Sequence, residues 1–252
     1  MSLSETARNN HARLFPSHVS TLAVTDPELI EVFDNFAFDE VLRHTALALR
    51  TRLMVQLAST IAAPALSEYR VLLGAALTAG VTPIESKEIV YQAVPYVGMA
   101  RVFDFLNTTN EVLTERGVAL PLPAQATTAP DNRAAQGLAT QKAVCGGDVI
   151  DRFQAAAPAD QAHIQHFLSA NCFGDYVTRN GLDRRTRELL TFALLVSLGG
   201  CEPQVKGHIA ANLNVGNDRA TLIDVLTQLL PYIGYPRTLN GLRNVDEMAP
   251  AK

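Results

Sequence analysis

The chain has 252 residues, 48% of them hydrophobic and 18% charged, with a formal net charge of −4. Such a composition suits one large globular domain or two small ones. Lys and Arg are scattered, so no basic stripe is available to neutralise phosphates, and no apolar run reaches the ~20 residues of a membrane span; neither nucleic acid nor a membrane is expected as a partner.

Residues 1–20 read as a polar tail. The opening stretch, MSLSETARNNHARLF, lacks the apolar core of a signal peptide, so cytoplasmic residence is expected. Residues 21–116 form a first unit. Its third helix has a marked start: Thr82 as cap, Pro83 in the first turn, Glu85 three residues after the cap, with Gly80 closing the helix before it. Residues 117–138, rich in Pro, Ala and Thr and without helical period, read as a linker.

Residues 139–252 repeat the plan. PYVGMARVFDFL, Pro95 to Leu106, aligns with PYIGYPRTLNGL, Pro231 to Leu242, at a shift of 136. The same shift places Gln92 on Gln228, Gly80 on Gly216, Leu53 on Leu189 and Asp39 on Asp175 without a gap. Two copies of one fold follow. In the second, Asp183 is positioned to cap a helix through RRTRELLTFALLVSLG that is apolar almost all round and ends at Gly199 and Gly200. A second helix carries a stripe of Val205, Ile209 and Leu213, Asn217 or Asp218 caps a third, and Pro231 with Gly234 breaks the chain before a last one. Strand-like alternation is missing. The expected fold is all-α: two tandem helical bundles forming a pseudo-dimer within one chain.

One constellation carries chemistry. Cys201 stands just after the glycine pair, where the helix dipole favours a thiolate; His208 follows two helical turns later, and Lys206 lies between them. Glu188, on the preceding helix, is placed to return to the same region. Under the 136 shift these positions hold Ala65, Leu72, Arg70 and Arg52, so the first copy has lost the thiol and imidazole and kept a basic residue. His11, His18, His44, His163, His166, Cys145 and Cys172 read as structural or surface residues. Recurrence of Tyr96 as Tyr232 favours packing. Neither a metal site nor a disulfide framework is expected from the spacings.

GDYVTRNGLDRRTRELLTFALL, KGHIAANLNVGN and PYIGYPRT in the second copy, and GVTPIESKEIVYQAVPYVGMAR in the first, resemble the carboxymuconolactone decarboxylase family, within the wider alkylhydroperoxidase-like group. The resemblance implies a helical fold assembling into rings of paired protomers. A fused pair implies a homo-oligomer, a trimer of pseudo-dimers. One branch of the family decarboxylates a carboxylated muconolactone in aromatic-acid breakdown without a cofactor. The other uses a CxxC motif, a following His and a Glu on the preceding helix as a hydroperoxidase. Here Cys201 matches the first Cys, Gln204 replaces the second, His208 matches the His, and Glu188 lies near the expected Glu.

The expectation is cofactor-free decarboxylation of a carboxylated lactone or a related small carboxylic acid in aromatic-compound catabolism. His208 donates a proton, Lys206, Arg187 or Arg184 bind carboxylates, and Arg70 of the first copy covers or charges the pocket. The alternatives are a thiol peroxidase using Cys201 and His208, and a non-catalytic oligomeric binding module.

Overall fold

The computed structural model describes residues 2–16 and 20–251, leaving His18 outside the described residues. Among these the chain is helical and contains no strand. The first copy comprises α1 (Glu5–Leu14), α2 (Leu22–Thr25), α3 (Pro27–Asn35), π- and 3-10-helical turns over 36–44, α4 (Leu49–Ala62), α5 (Leu66–Thr78), α6 (Pro83–Val97) and α7 (Met99–Glu115). The second comprises α8 (Arg133–Cys145), α9 (Gly147–Ala155), α10 (Ala162–Phe167), a π-helical segment (Leu168–Val177), α11 (Arg184–Leu198), α12 (Glu202–Asn214) and α13 (Arg219–Met248).

The repeat is visible element by element. At the 136 shift, the bounds of α5 become those of α12, and α6 becomes the first arm of α13. Gly98 breaks α6 from α7 with φ +81°, and Gly234 kinks α13 at the matching place with φ +76°. These backbones lie where a Cβ is strained, which explains a glycine at the same turn in both copies.

Local chemistry sets the ends of the central helices. The Thr82 side chain accepts from Glu85 N while the Glu85 carboxylate accepts from Thr82 N, completing a capping box. Asp183 caps α11 and Asp218 caps α13. Leu53, Leu57 and Ile61 of α4 and Leu190 and Leu194 of α11 are at most 1% exposed and share one core. Where these helices meet, Ser197 Oγ donates to Ser59 Oγ at 2.8 Å, both buried. The two bundles therefore bury a common apolar interior, the dominant favourable term in folding.

Three expectations change. The tail contains a helix, α1, capped by Ser4, whose hydroxyl donates to Asp39 at 2.8 Å; His11 sits against Phe15 and Phe38. The stretch read as linker ends in a helix, since α8 begins at Arg133. It is buried through small and polar residues, Gly137, Thr140 and Gln141, with Val144, so no apolar period marks it. On α12 the buried line is Val205, Ile209 and Asn212, whereas Leu213 is exposed. A period of 3.6 carries the inward face from Ile209 to residue 212, one short of the apolar one.

Close packing of α8 depends on Gly137. A Cβ there would meet Ser169 O at 2.0 Å and Gly174 N at 2.7 Å, whereas one on Gly147 would meet nothing within 4 Å. Overpacking costs about 1–3 kcal/mol where side chains can shift, and here backbone stands in the way. Gly137→Ala is therefore expected to lose ~3 kcal/mol or more in urea unfolding, while Gly147→Ala stays within about 0.5 kcal/mol of the parent. Equal effects would contradict the packing described.

Candidate active site

The second turn of α11 and the middle of α12 bring Glu188 and His208 together. His208 Nδ1 lies 2.8 Å from Glu188 Oε2, with the imidazole side chain 16% exposed and the carboxylate 2%. An ionised carboxylate only accepts, so Nδ1 carries the proton in this pair. Nε2 has no hydrogen-bond partner among the described residues.

Buried amides hold the two helices in register. Asn212, one turn after His208, donates to the carbonyls of His208 at 2.7 Å and Glu188 at 3.0 Å. Its Oδ1 accepts from Asn217 Nδ2, which also donates to Arg185 O. Asn212 is fully buried and Asn217 nearly so. The sequence signal for Asn212 was an Asn four residues after a candidate His, on one helix face.

The first copy contributes Tyr96, near the end of α6. Its ring meets that of His208 edge-on at 5.7 Å between centroids. Its hydroxyl is buried next to Cys172 and Thr191 without reaching good hydrogen-bond geometry with any group. Burial raises its pKa well above that of an ordinary tyrosine. Tyr96 thus walls the imidazole, a role beyond the packing expected of it.

The remaining candidates do not join this group. Arg187 is 1% exposed and is spent on Glu88 Oε2 at 2.9 Å, Gln92 Oε1 at 2.8 Å and the carbonyls of Arg179 and Asn180. It bridges the copies through both Nη atoms, and its Nε is buried without a partner. Lys206 pairs with Glu247 on α13 at the surface. Arg70 pairs with Glu111 and Glu115, both on α7 of its own copy, and so does not charge the second copy's site. Arg184 is exposed on the first turn of α11, four residues before Glu188.

Cys201 caps α12 and its Sγ donates to Leu195 O at 3.3 Å. It lines a small crevice with Val196, Arg237 and Gly241, two helical turns from His208, about 10 Å of axial rise. Burial, then Glu202, pushes its pKa up. The helix dipole was expected to lower it; the shift is upward instead, through loss of solvent around the thiolate. Cys145 and Cys172, by contrast, pack with Tyr96 in one cluster. Burial pushes both thiols up to about 12, with Glu188 adding to the shift.

The model of the carboxymuconolactone decarboxylase family matches residues 27–111 and again residues 162–247. This chain belongs to the carboxymuconolactone decarboxylase family. The two matches are offset by the period of the repeat, so the family domain occurs twice. A 4-carboxymuconolactone decarboxylase from Acinetobacter baylyi is 28% identical over 118 residues, which are 47% of this chain and 87% of that protein.

The two carboxymuconolactone decarboxylase domains differ in how their equivalent interiors are built. Glu188, His208, Asn212 and Asn217 correspond to Arg52, Leu72, Ala76 and Val81, all buried. The polar chain is confined to the second domain. Among the described residues, no group of three or more His, Cys, Asp and Glu has the arrangement to hold a metal, and no helix is long and apolar enough to cross a membrane.

Thiol chemistry gives a direct check on this environment. All three thiols have raised pKa values, so the reactive thiolate is scarce at neutral pH and grows as pH rises. Iodoacetamide at pH 8 is expected to alkylate Cys201 more slowly than an unperturbed thiol and Cys145 and Cys172 more slowly still, with rates climbing past about pH 9. Fast labelling of Cys201 at pH 7 with a plateau below pH 8 would contradict it.

Proposed function

We propose that the second domain is a cofactor-independent decarboxylase acting on a small carboxylated lactone or a related carboxylic acid, with His208 as proton donor and Glu188 as its partner. The observation that carries this reading is the His208–Glu188 pair: a partly accessible imidazole whose inner nitrogen is held at 2.8 Å by a carboxylate sealed from water. Family membership and likeness to a 4-carboxymuconolactone decarboxylase support the same class of reaction.

In the proposed reaction the bond between the lactone carbon and its carboxylate breaks and carbon dioxide leaves. The electron pair delocalises toward the lactone carbonyl. His208, carrying a proton on each ring nitrogen in this proposal, delivers the one on Nε2 to carbon and keeps the one on Nδ1, and solvent restores the first. Glu188 accepts from Nδ1 and fixes the ring's orientation, as a carboxylate does for a catalytic imidazole elsewhere. Tyr96 limits the ring's freedom from the other side.

This reading is preferred to a thiol peroxidase because Cys201 is bonded to Leu195 O and has a raised pKa. Gln204 also stands where a second thiol would be needed. The test is turnover of 4-carboxymuconolactone by the full chain, followed by carbon dioxide release. His208→Ala is expected to lose about 10²–10⁴-fold in kcat, the usual share of general acid–base catalysis. Cys201→Ser is expected to keep most of the activity. Full activity in His208→Ala, or its abolition in Cys201→Ser alone, would overturn the assignment.

A further inference from the structure

Away from His208, α6, α7 and the chain at residues 120–125 enclose a cavity of about 370 Å³, closed on one side by Arg179. That volume falls within the range of small-molecule pockets. Its roof is fixed to the second domain: Asn180 N donates to Gln125 O at 2.9 Å, and Thr127 Oγ1 to Thr178 O at 2.9 Å.

The walls offer donors in excess of acceptors. Lys87 is 9% exposed, and its ammonium donates to Asn110 Oδ1, a neutral acceptor. An ammonium has three donors and no acceptor, so the amide leaves two unserved. The one carboxylate present, Glu88, is already taken: Arg179 donates to it through Nε and Nη2, and Arg187 through Nη2. Two guanidiniums therefore share the single carboxylate, and the Lys87 ammonium has only a neutral partner. Tyr91 lies near both Lys87 and Arg179, 5.8 Å from Lys87 Nζ and 5.1 Å from the Arg179 guanidinium carbon, measured to the ring centroid. Burial lowers the Lys87 pKa from that of an ordinary lysine, the mark of a cation short of compensation. Ile84, Leu120, Pro121 and Leu122 supply an apolar wall.

The duplication did not build this arrangement twice. At the 136 shift Lys87, Tyr91 and Asn110 become Ile223, Thr227 and Asp246. The cavity is a feature of the first domain and its junction with the second.

We propose that this cavity binds a small organic carboxylate at a site separate from His208, with the Lys87 ammonium receiving the carboxylate and Tyr91 and the roof residues covering its apolar body. One negative charge compensates the spare cation, and the flat apolar remainder fits between an aromatic ring and prolines. A neutral analogue of the same shape loses the charge-assisted contact and is rejected.

Benzoate and its neutral counterpart benzamide are suitable probes, titrated calorimetrically into the full chain. His208→Ala serves as parent, so that any second binding at that centre is removed. Benzoate is expected to bind at least about tenfold more tightly than benzamide, a difference of ~1.4 kcal/mol. Adding Lys87→Met is expected to erase that preference and Lys87→Arg to keep part of it. Leu122→Trp, which fills the cavity from its roof, is expected to abolish binding and covers the case in which Lys87→Met does not fold. Equal binding of benzoate and benzamide, or benzoate binding that survives both Lys87→Met and Leu122→Trp, would overturn the proposal. So would binding present in the wild type and absent from His208→Ala.

Discussion

The carboxylate of Glu88 is held between Arg179 and Arg187 with almost no exposure, and the positions of the two domains depend on that contact. Glu88 belongs to α6 of the first domain; both arginines belong to the second. Removing one partner of a buried pair leaves an unpaired charge in the interior and typically costs ~3–5 kcal/mol. Arg187 is the residue before Glu188, and Gln92, which bonds Arg187 through both its amide nitrogen and its oxygen, is one turn before Tyr96. The ion cluster therefore sets the spacing between the ring that walls His208 and the carboxylate that holds it.

The first domain lacks the polar chain found around His208 yet still borders it through α6. Its equivalent interior has become mainly apolar, with Leu72, Ala76 and Val81 in place of His208, Asn212 and Asn217. Arg52, in place of Glu188, is nearly buried and its Nε has no partner. What this domain still supplies is α6: Tyr96 at one end, Glu88 and Gln92 in the middle, and Lys87 and Tyr91 facing the linker cavity. One helix thus serves three surroundings, which is why its polar residues are buried to an unusual degree.

Much of this was legible in the sequence because it is local. The capping box at Thr82, the caps at Asp183 and Asp218, the glycine stops and the 136 shift all depend on residues close together or on a rigid period. The convergence of Glu188 and His208 could be anticipated from two adjacent antiparallel helices. What was hidden depends on distant partners. Lys206 meets Glu247 and Arg187 meets Glu88, 99 residues away, and neither pairing leaves a trace in local pattern. Cys201 shares a helix face with His208, yet two turns of rise and a carbonyl partner set it apart. Helix α8 was missed because small residues bury a helix without an apolar period, and Tyr96 because recurrence in both copies looks like packing whichever role it serves.

The central claim is that one reactive centre draws on both domains. It is tested most directly by a double-mutant cycle in kcat between Tyr96, from the first domain, and His208, from the second. Tyr96→Leu is expected to lower turnover in the wild-type background, Tyr96→Phe to keep it by preserving the ring, and Tyr96→Leu to have no further effect once His208 is Ala. An equal loss from Tyr96→Leu in both backgrounds would contradict a site shared across the two domains.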